Sequence, residues 1–298
     1  MSELLRIFNK LLCIAWLNIK YTYLYCCRNA VILNVYVDDA VWKDVRAQNW
    51  GDDLNLYLLR RITTRPLAFR RWFWIARLFP LRNYLCIGTI LDARGYSNPQ
   101  SIVWGSGISG ENKPMVKPSK IISVRGELSR AYCKEHGLGQ PTSVGDPALL
   151  LPWYYQPKPL PRRYRLGIVL HTIDSDSEVV AQMVQNNRDI LVLRMTGYKK
   201  WTDIVDGISS CEGIASSSLH GLIAADAYGV PNCWIRLENV LPSFYKFHDY
   251  ASSVGRKDLE MPLHVTQTDQ VNQMISRYEK WSLPQINREV ILVSCPFA

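Results

Sequence analysis

The chain has 298 residues, 48% of them hydrophobic and 20% charged, which excludes a disordered or fibrous polypeptide and suffices for two domains. Its formal charge of +9 favours anionic partners: phosphorylated metabolites, anionic lipid or nucleic acid. No Cys/His spacing resembles a zinc site, and the eight scattered cysteines read as reduced, mostly buried thiols of a cytosolic protein.

Residues 1–30 form an amphipathic N-terminal segment in which Leu4, Leu5, Ile7, Phe8, Leu11 and Trp16 are interrupted by Arg6, Lys10 and Lys20. The unbroken apolar run from Leu11 to Leu17 is far short of the ~20 residues that span a bilayer. No small-residue cleavage site follows, which argues against a secretory signal. Two readings fit: a basic amphipathic helix on an anionic membrane face, or a helix packed against the first domain.

Val31–Val37 reads as the first strand of a Rossmann-like domain. The segment Asn49-Trp50-Gly51-Asp52-Asp53-Leu54-Asn55 then opens a helix. Gly51 permits a turn and the two aspartates suit the positive helix end. Capping alone accounts for at least one of them. Residues 65–83 interleave Arg65, Arg70, Arg71, Arg77 and Arg82 with Phe69, Trp72, Phe73, Trp74 and Phe79. That pattern suits nucleic acid, a membrane interface, or a helix with its aromatics in the core.

Tyr84–Gly88 and Ser101–Trp104 read as buried strands ending in Gly88-Thr89-Ile90 and Gly105-Ser106-Gly107-Ile108. Gly105 and Gly107 thus fall at the carboxyl edge of an open sheet, where ligands bind, although a plain turn is the default. Lys120–Val124 is a further strand, with Arg125 at the switch into the next helix and directed to the same edge. Asp146 reads as a cap with Pro147 at the first helical position.

Residues 151–163 carry four prolines and form the best linker. They separate an N-terminal unit, 31–152, from a C-terminal unit, 163–298. Strand–helix alternation resumes with Tyr164–Leu170. His171 and Asp174 lie just past its end, and His171 taken alone is a loop histidine. Gly213–Pro231 then reads as strand end, turn, helix and next strand. Three serines precede the helix, Leu219, Leu222, Ile223 and Ala227 fall at helical spacing, and Gly229 with Pro231 ends it. His220 sits in the first turn, among free N–H groups and the positive helix end, which together suit an anion. A plain surface histidine at a helix start is the bland alternative.

The run Ser-Ser-Leu-His-Gly-Leu-Ile-Ala-Ala-Asp-Ala-Tyr-Gly-Val-Pro, 217–231, resembles the signature of the polysaccharide pyruvyltransferase family. Weaker blocks follow the family's order: Asn49–Asp53, Ser123-Val124-Arg125, Gly145–Leu150 and Lys246–Tyr250. The resemblance covers roughly 31–255 in scattered blocks. It implies two Rossmann-like domains facing a cleft (GT-B-like), with the acceptor on the N-terminal side and the donor on the C-terminal side. It also implies transfer of the enolpyruvyl group of phosphoenolpyruvate onto a sugar as a cyclic ketal, with a lipid-linked polysaccharide precursor as acceptor.

On that reading His220 is the general acid–base and Asp53 orients or deprotonates the sugar hydroxyl. Arg125, Lys246, Ser217, Ser218 and Leu219 receive the donor's charges, with Asn49, Gly105, Gly107 and His171 completing the substrate site. No metal or cofactor enters the scheme, because phosphoenolpyruvate is the donor substrate. Many family members carry arginine before the Leu-His pair where this chain has Ser218, so Arg125, Lys246 or Arg236 must supply the charge. With a lipid-linked acceptor the basic-aromatic segment is read at a membrane, not on nucleic acid, and the protein as cytoplasmic, either free or peripheral on the inner membrane face. A GT-B glycosyltransferase using a nucleotide sugar is the alternative. A third class is a non-catalytic membrane subunit, which would tolerate loss of His220. Arg125 and His220 are both expected outside the hydrophobic core.

Overall fold

The apolar runs assemble into two parallel sheets in a computed structural model that describes residues 3–37, 48–110, 115–158, 162–239, 243–259 and 261–298. The first sheet contains β1 (Val31–Leu33), β2 (Leu67–Phe69), β3 (Asn83–Leu85), β4 (Ser101–Trp104), β5 (Lys120–Val124) and β6 (Ser143–Val144). Its order is β2-β1-β3-β4-β5-β6. The second contains β7 (Tyr164–Leu170), β8 (Ile190–Arg194), β9 (Cys211–Ser216), β10 (Asn232–Arg236) and β11 (Leu263–His264), in the order β11-β10-β9-β7-β8. The pairings are parallel throughout both ladders. Each sheet reverses its strand order once, at β1/β3 and at β7/β9. Open α/β sheets bind ligands beyond the carboxyl ends of their strands at such reversals.

Buried strands covered on both faces read as continuous apolar runs, and β7 and β9 are buried along most of their length for that reason. On one face of the second sheet, Val179, Val180 and Met183 of α7 (Glu178–Asn186) join Met274 and Ile275 of α11 (Val271–Tyr278) in one core. On the other face, α8 (Trp201–Ser209) and α9 (Leu219–Ala227) contribute to a core that continues into the first sheet. The junction carries polar ties as well. In α2 (Trp50–Tyr57), Trp50 N–H donates to Met195 O at 2.8 Å and its indole Nε1 to Trp201 O at 2.7 Å.

Several expectations change. Residues 65–83 do not form one helix: Leu67–Phe69 pairs with β1, Arg70–Trp72 is a 3-10 turn, and only Trp74–Leu78 (α4) is helical. The α3 turn (Leu59–Ile62) precedes that edge strand, α5 (Glu127–Glu135) follows β5, and α6 (Leu151–Tyr154) opens the linker. Linker residues 159–161 lie outside the described residues. Four of the eight cysteines are buried, while Cys26 and Cys27 on α1 (Glu3–Arg28) are exposed and Cys13 and Cys295 half-buried. The stretch 288–297, assigned from sequence to the C-terminal unit, packs on the first sheet through α12 (Arg288–Val293). Trp104 Nε1 donates to Ile291 O at 3.1 Å, and the Phe297 ring meets Trp104 edge-on at 5.7 Å.

Candidate active site

A cavity of about 350 Å³ opens at the carboxyl ends of the strands flanking both reversals. Its wall takes Tyr36 from beyond β1, Gly88, Thr89 and Ile90 from beyond β3, His171 from beyond β7, and Ser218, Leu219 and His220 from beyond β9. Asn49, Asp52, Tyr96 and Lys246 complete it. Lys246 comes from the first turn of α10 (Tyr245–Val254).

The segment after β9 is shaped by its small residues. Ser216 Oγ accepts from Ser218 N–H at 3.1 Å and donates to Ser218 O at 2.8 Å, which closes the turn into α9. Ser218 holds the N-cap position without a side-chain cap bond. The first amides, of Leu219 and His220, lie where helix N–H groups have no internal partner. Ser217 faces the interior instead: it accepts from His171 N–H at 3.0 Å and donates to Asp174 Oδ2 at 2.7 Å. It therefore anchors the β7 turn and does not line the cavity. His171 caps a 3-10 turn, its Nδ1 accepting from Ile173 N–H at 3.3 Å, so the neutral ring carries its proton on Nε2.

His220 packs its ring against Gly51, where a Cβ would come within 1.9 Å of Nδ1. Only glycine allows that approach. Its Nε2 is enclosed without a hydrogen-bond partner, 3.8 Å from Asp146 Oδ2, which is likewise unpartnered. Asp146 Oδ1 meanwhile caps the turn after β6, accepting from Ala148 N–H at 2.9 Å. Burial, then the positive fields of Arg125, Lys246 and His171, lowers the His220 pKa to about 3. Burial and then Lys246 bring His171 to about 4. Both imidazoles are neutral at pH 7. Burial raises Asp146 to about 6.

The two aspartates of α2 divide. Asp53, favoured from sequence, points away from the cavity and accepts from the Tyr198 hydroxyl. It shares a helix face with Trp50 and Leu54, the buried face that meets Met195, Tyr198 and Trp201. Asp52 lines the cavity instead, its Oδ2 accepting from Asn49 Nδ2 at 2.7 Å. Burial, then Asp53, raises Asp52 to about 7, far above the usual carboxylate range, so it is able to hold a proton near neutral pH. Gly88 makes room opposite: its φ is +124°, and a Cβ there would lie 3.3 Å from Asp52 Oδ1.

Arg125 is fully buried, contrary to expectation, and committed within the protein. Its guanidinium pairs with Asp249 at 3.0 Å, donates to Ile108 O at 3.2 Å and holds Thr89 Oγ1 at 2.7 Å. It reaches the cavity through Thr89 and through its field. Gly107 lets it lie there, since a Cβ would meet the guanidinium carbon at 2.3 Å, and Gly105 makes room for Pro147. Neither glycine lines the cavity. Lys246 does, and among the described residues no carboxylate pairs with it within 4 Å. Burial and then Arg125 lower its pKa to about 8, so it is mostly charged at pH 7. Sequence reasoning missed Asp52, Thr89, Tyr36 and Tyr96. The helix face shared with Trp50 was the signal that Asp53 turns inward.

The family model for polysaccharide pyruvyl transferase matches residues 70–239, more than half of the chain. The chain belongs to the polysaccharide pyruvyl transferase family. As a pyruvyl transferase family member it is similar to the succinoglycan biosynthesis protein ExoV of Rhizobium meliloti (strain 1021), 27% identical over 212 residues, 70% of this chain and 62% of that protein. The uncharacterized protein L143 of Acanthamoeba polyphaga mimivirus is 27% identical over 184 residues, 58% of this chain and 60% of its own length. The chain thus spans about three fifths of both relatives. A functionally uncharacterized protein of Klebsiella pneumoniae subsp. pneumoniae NTUH-K2044 superposes with a TM-score of 0.45 at 12% identity, covering 89% of this chain and 100% of that one.

Proposed function

We propose that this family member forms a pyruvate ketal on a sugar of a lipid-linked polysaccharide precursor, with phosphoenolpyruvate as donor. The reading includes a GT-B-like arrangement in which the second sheet holds the donor and the first sheet the acceptor. One observation carries it most: a single cavity is lined by Lys246, a helix N-terminus and Asp52, a carboxyl poised near neutrality. The donor's phosphate and carboxylate need cations and N–H groups, which Lys246, Ser218 and the first amides of α9 supply.

The chemistry runs in two additions. A sugar hydroxyl gives its proton to His220 Nδ1 as its oxygen bonds to the donor's central carbon, and protonated Asp52 delivers a proton to the methylene carbon. The second hydroxyl then gives its proton to the Asp52 carboxylate as its oxygen bonds to the same carbon, and phosphate leaves with the C–O electron pair and takes the proton held on His220. Overall, one hydroxyl proton ends on the new methyl group and the other on phosphate. Asp146 serves as the positioning residue, because its carboxylate favours the proton on His220 Nε2 and leaves Nδ1 as the base. Once the donor's negative charge is bound, the fields of Lys246 and Arg125 are offset and His220 becomes more basic.

The test is incubation with phosphoenolpyruvate and candidate lipid-linked saccharides, following phosphate release and the ketal methyl signal by NMR. His220→Ala should lower turnover by about 10²- to 10⁴-fold. Binding and turnover of a nucleotide sugar, with none of phosphoenolpyruvate, would overturn the donor assignment.

A further inference from the structure

Helix α1 is apolar on two opposite faces. Leu17 and Tyr21 are buried, and Cys13, Ile14, Leu24 and Tyr25 pack beside them on the body of the protein. At about 3.6 residues per turn, Leu5, Phe8, Leu12, Trp16, Ile19 and Tyr23 form a second stripe roughly opposite the first. All six are exposed, from 46% at Leu5 to 73% at Ile19. The stripe does not end with the helix. Asn18 Oδ1 accepts from Trp74 N–H at 2.6 Å, which seats α4 beside α1, and Trp74, Leu78 and Phe79 are 49%, 79% and 59% exposed. Contiguous apolar surface of this kind marks a binding face.

Charge selects the partner. Residues 4–37 hold four lysines and arginines, residues 54–91 hold seven arginines, and neither segment has an aspartate or glutamate. These two segments thus exceed the formal charge of the entire chain, +9. Lys20, Arg71, Arg77 and Arg82 are exposed and lie beside the apolar residues in sequence or on the helix. Lys20 Nζ lies 4.8 Å over the Trp16 ring, an amphipathic pairing suited to an interface. Among the described residues no helix is long and apolar enough to cross a membrane.

We infer that α1 and α4 together form a platform that lies on an anionic lipid bilayer, inserting Trp16, Ile19, Leu78 and Phe79 among the acyl boundaries while the basic side chains meet the headgroups. The platform adjoins the candidate active site. Arg71, in the turn before α4, places its guanidinium 5.6 Å over the ring of Tyr36, which lines the cavity. Seated this way, the protein holds its acceptor side close to the lipid surface. The docking itself does not depend on the donor or the reaction, so the two readings fail separately.

Sedimentation of the full chain with vesicles tests the platform without any substrate. Vesicles of phosphatidylglycerol and phosphatidylcholine should capture the protein, pure phosphatidylcholine should capture at least about tenfold less, and added salt should weaken the capture. Trp16→Glu/Ile19→Glu and, separately, Leu78→Glu/Phe79→Glu should each reduce partition at least about tenfold with unchanged melting, since the replaced side chains are exposed. Failure of the wild type to bind anionic vesicles would overturn the proposal. So would variants that bind normally, or that change only the oligomeric state in ultracentrifugation, which would assign the face to a second copy of the chain.

Discussion

Replacing Asp146 with asparagine separates what that side chain does for stability from what it does for His220. The amide oxygen of Asp146→Asn can still accept from Ala148 N–H, so the turn keeps its cap. The amide nitrogen would face His220 Nε2, now as a donor, and force the imidazole proton onto Nδ1. A ring protonated there cannot take a proton from the cavity side, so turnover should fall by about 10²- to 10⁴-fold. Stability should move the other way. Burial raises the Asp146 pKa from 3.8 to about 6, so the folded chain keeps a proton that the unfolded chain has already released. Stability is then lost as pH rises from about 4 to about 6, and the deficit is complete at pH 7. A displacement of this size corresponds to ~3 kcal/mol, and asparagine removes it. Thermal melting at pH 7 should show a variant as stable as the wild type or more so, with the advantage gone near pH 4. Steady-state kinetics over pH 5–9 then read the loss in kcat, with KM for phosphoenolpyruvate little changed. Near-normal turnover in a folded variant would refute the assignment, as would a collapse of melting temperature at pH 7.

Arg125→Ala removes one partner of a buried ion pair and leaves Asp249 uncompensated, so melting or denaturant titration should show a loss of about 3–5 kcal/mol. A folded Arg125→Ala protein with wild-type melting would contradict the pairing. Gly51→Ala places a methyl group where the His220 ring lies, and turnover should fall while calorimetric affinity for phosphoenolpyruvate is largely kept; unchanged kcat would mean that the ring position is unimportant. Lys246 loses its charge as pH rises through about 8, so donor affinity should weaken above that pH, and Lys246→Arg should flatten the dependence. Equal pH profiles for wild type and Lys246→Arg would take Lys246 out of the anion site.

Much of the fold was legible because buried parallel strands are short apolar runs with small residues at their ends. Lys120–Val124, Tyr164–Leu170 and the Gly213–Pro231 unit all lie within a residue or two of their sequence-based bounds. Residues 65–83 were not legible, because three residues of strand beside two clipped turns carry no period long enough to recognise. In the site, the positions of His220, Ser218 and Leu219 on the cavity follow from a strand end and a helix start, whereas Asn49, His171 and Lys246, which line the same cavity, were legible only through the family resemblance. Arg125, Ser217 and Asp53 were misplaced for a shared reason. Each has a buried partner more than forty residues away in sequence, Asp249, Asp174 and Tyr198 respectively, and nothing local announces such a partner. Asp146 was legible as a cap through Oδ1, whereas its second oxygen became interesting only once His220 was beside it.

The return of residues 288–297 to the first sheet has a consequence for synthesis. Trp104 and Tyr84 leave the ribosome roughly two hundred residues before Phe297, the ring that closes over both of them. During that interval the second sheet can complete its own strands, while the first keeps an apolar gap along β3 and β4. Contacts of such long sequence separation are slow to form and leave hydrophobic surface open to aggregation meanwhile. Expression of a fragment ending before residue 288 should therefore yield a chain that binds chaperones persistently, even with every residue of the candidate site present.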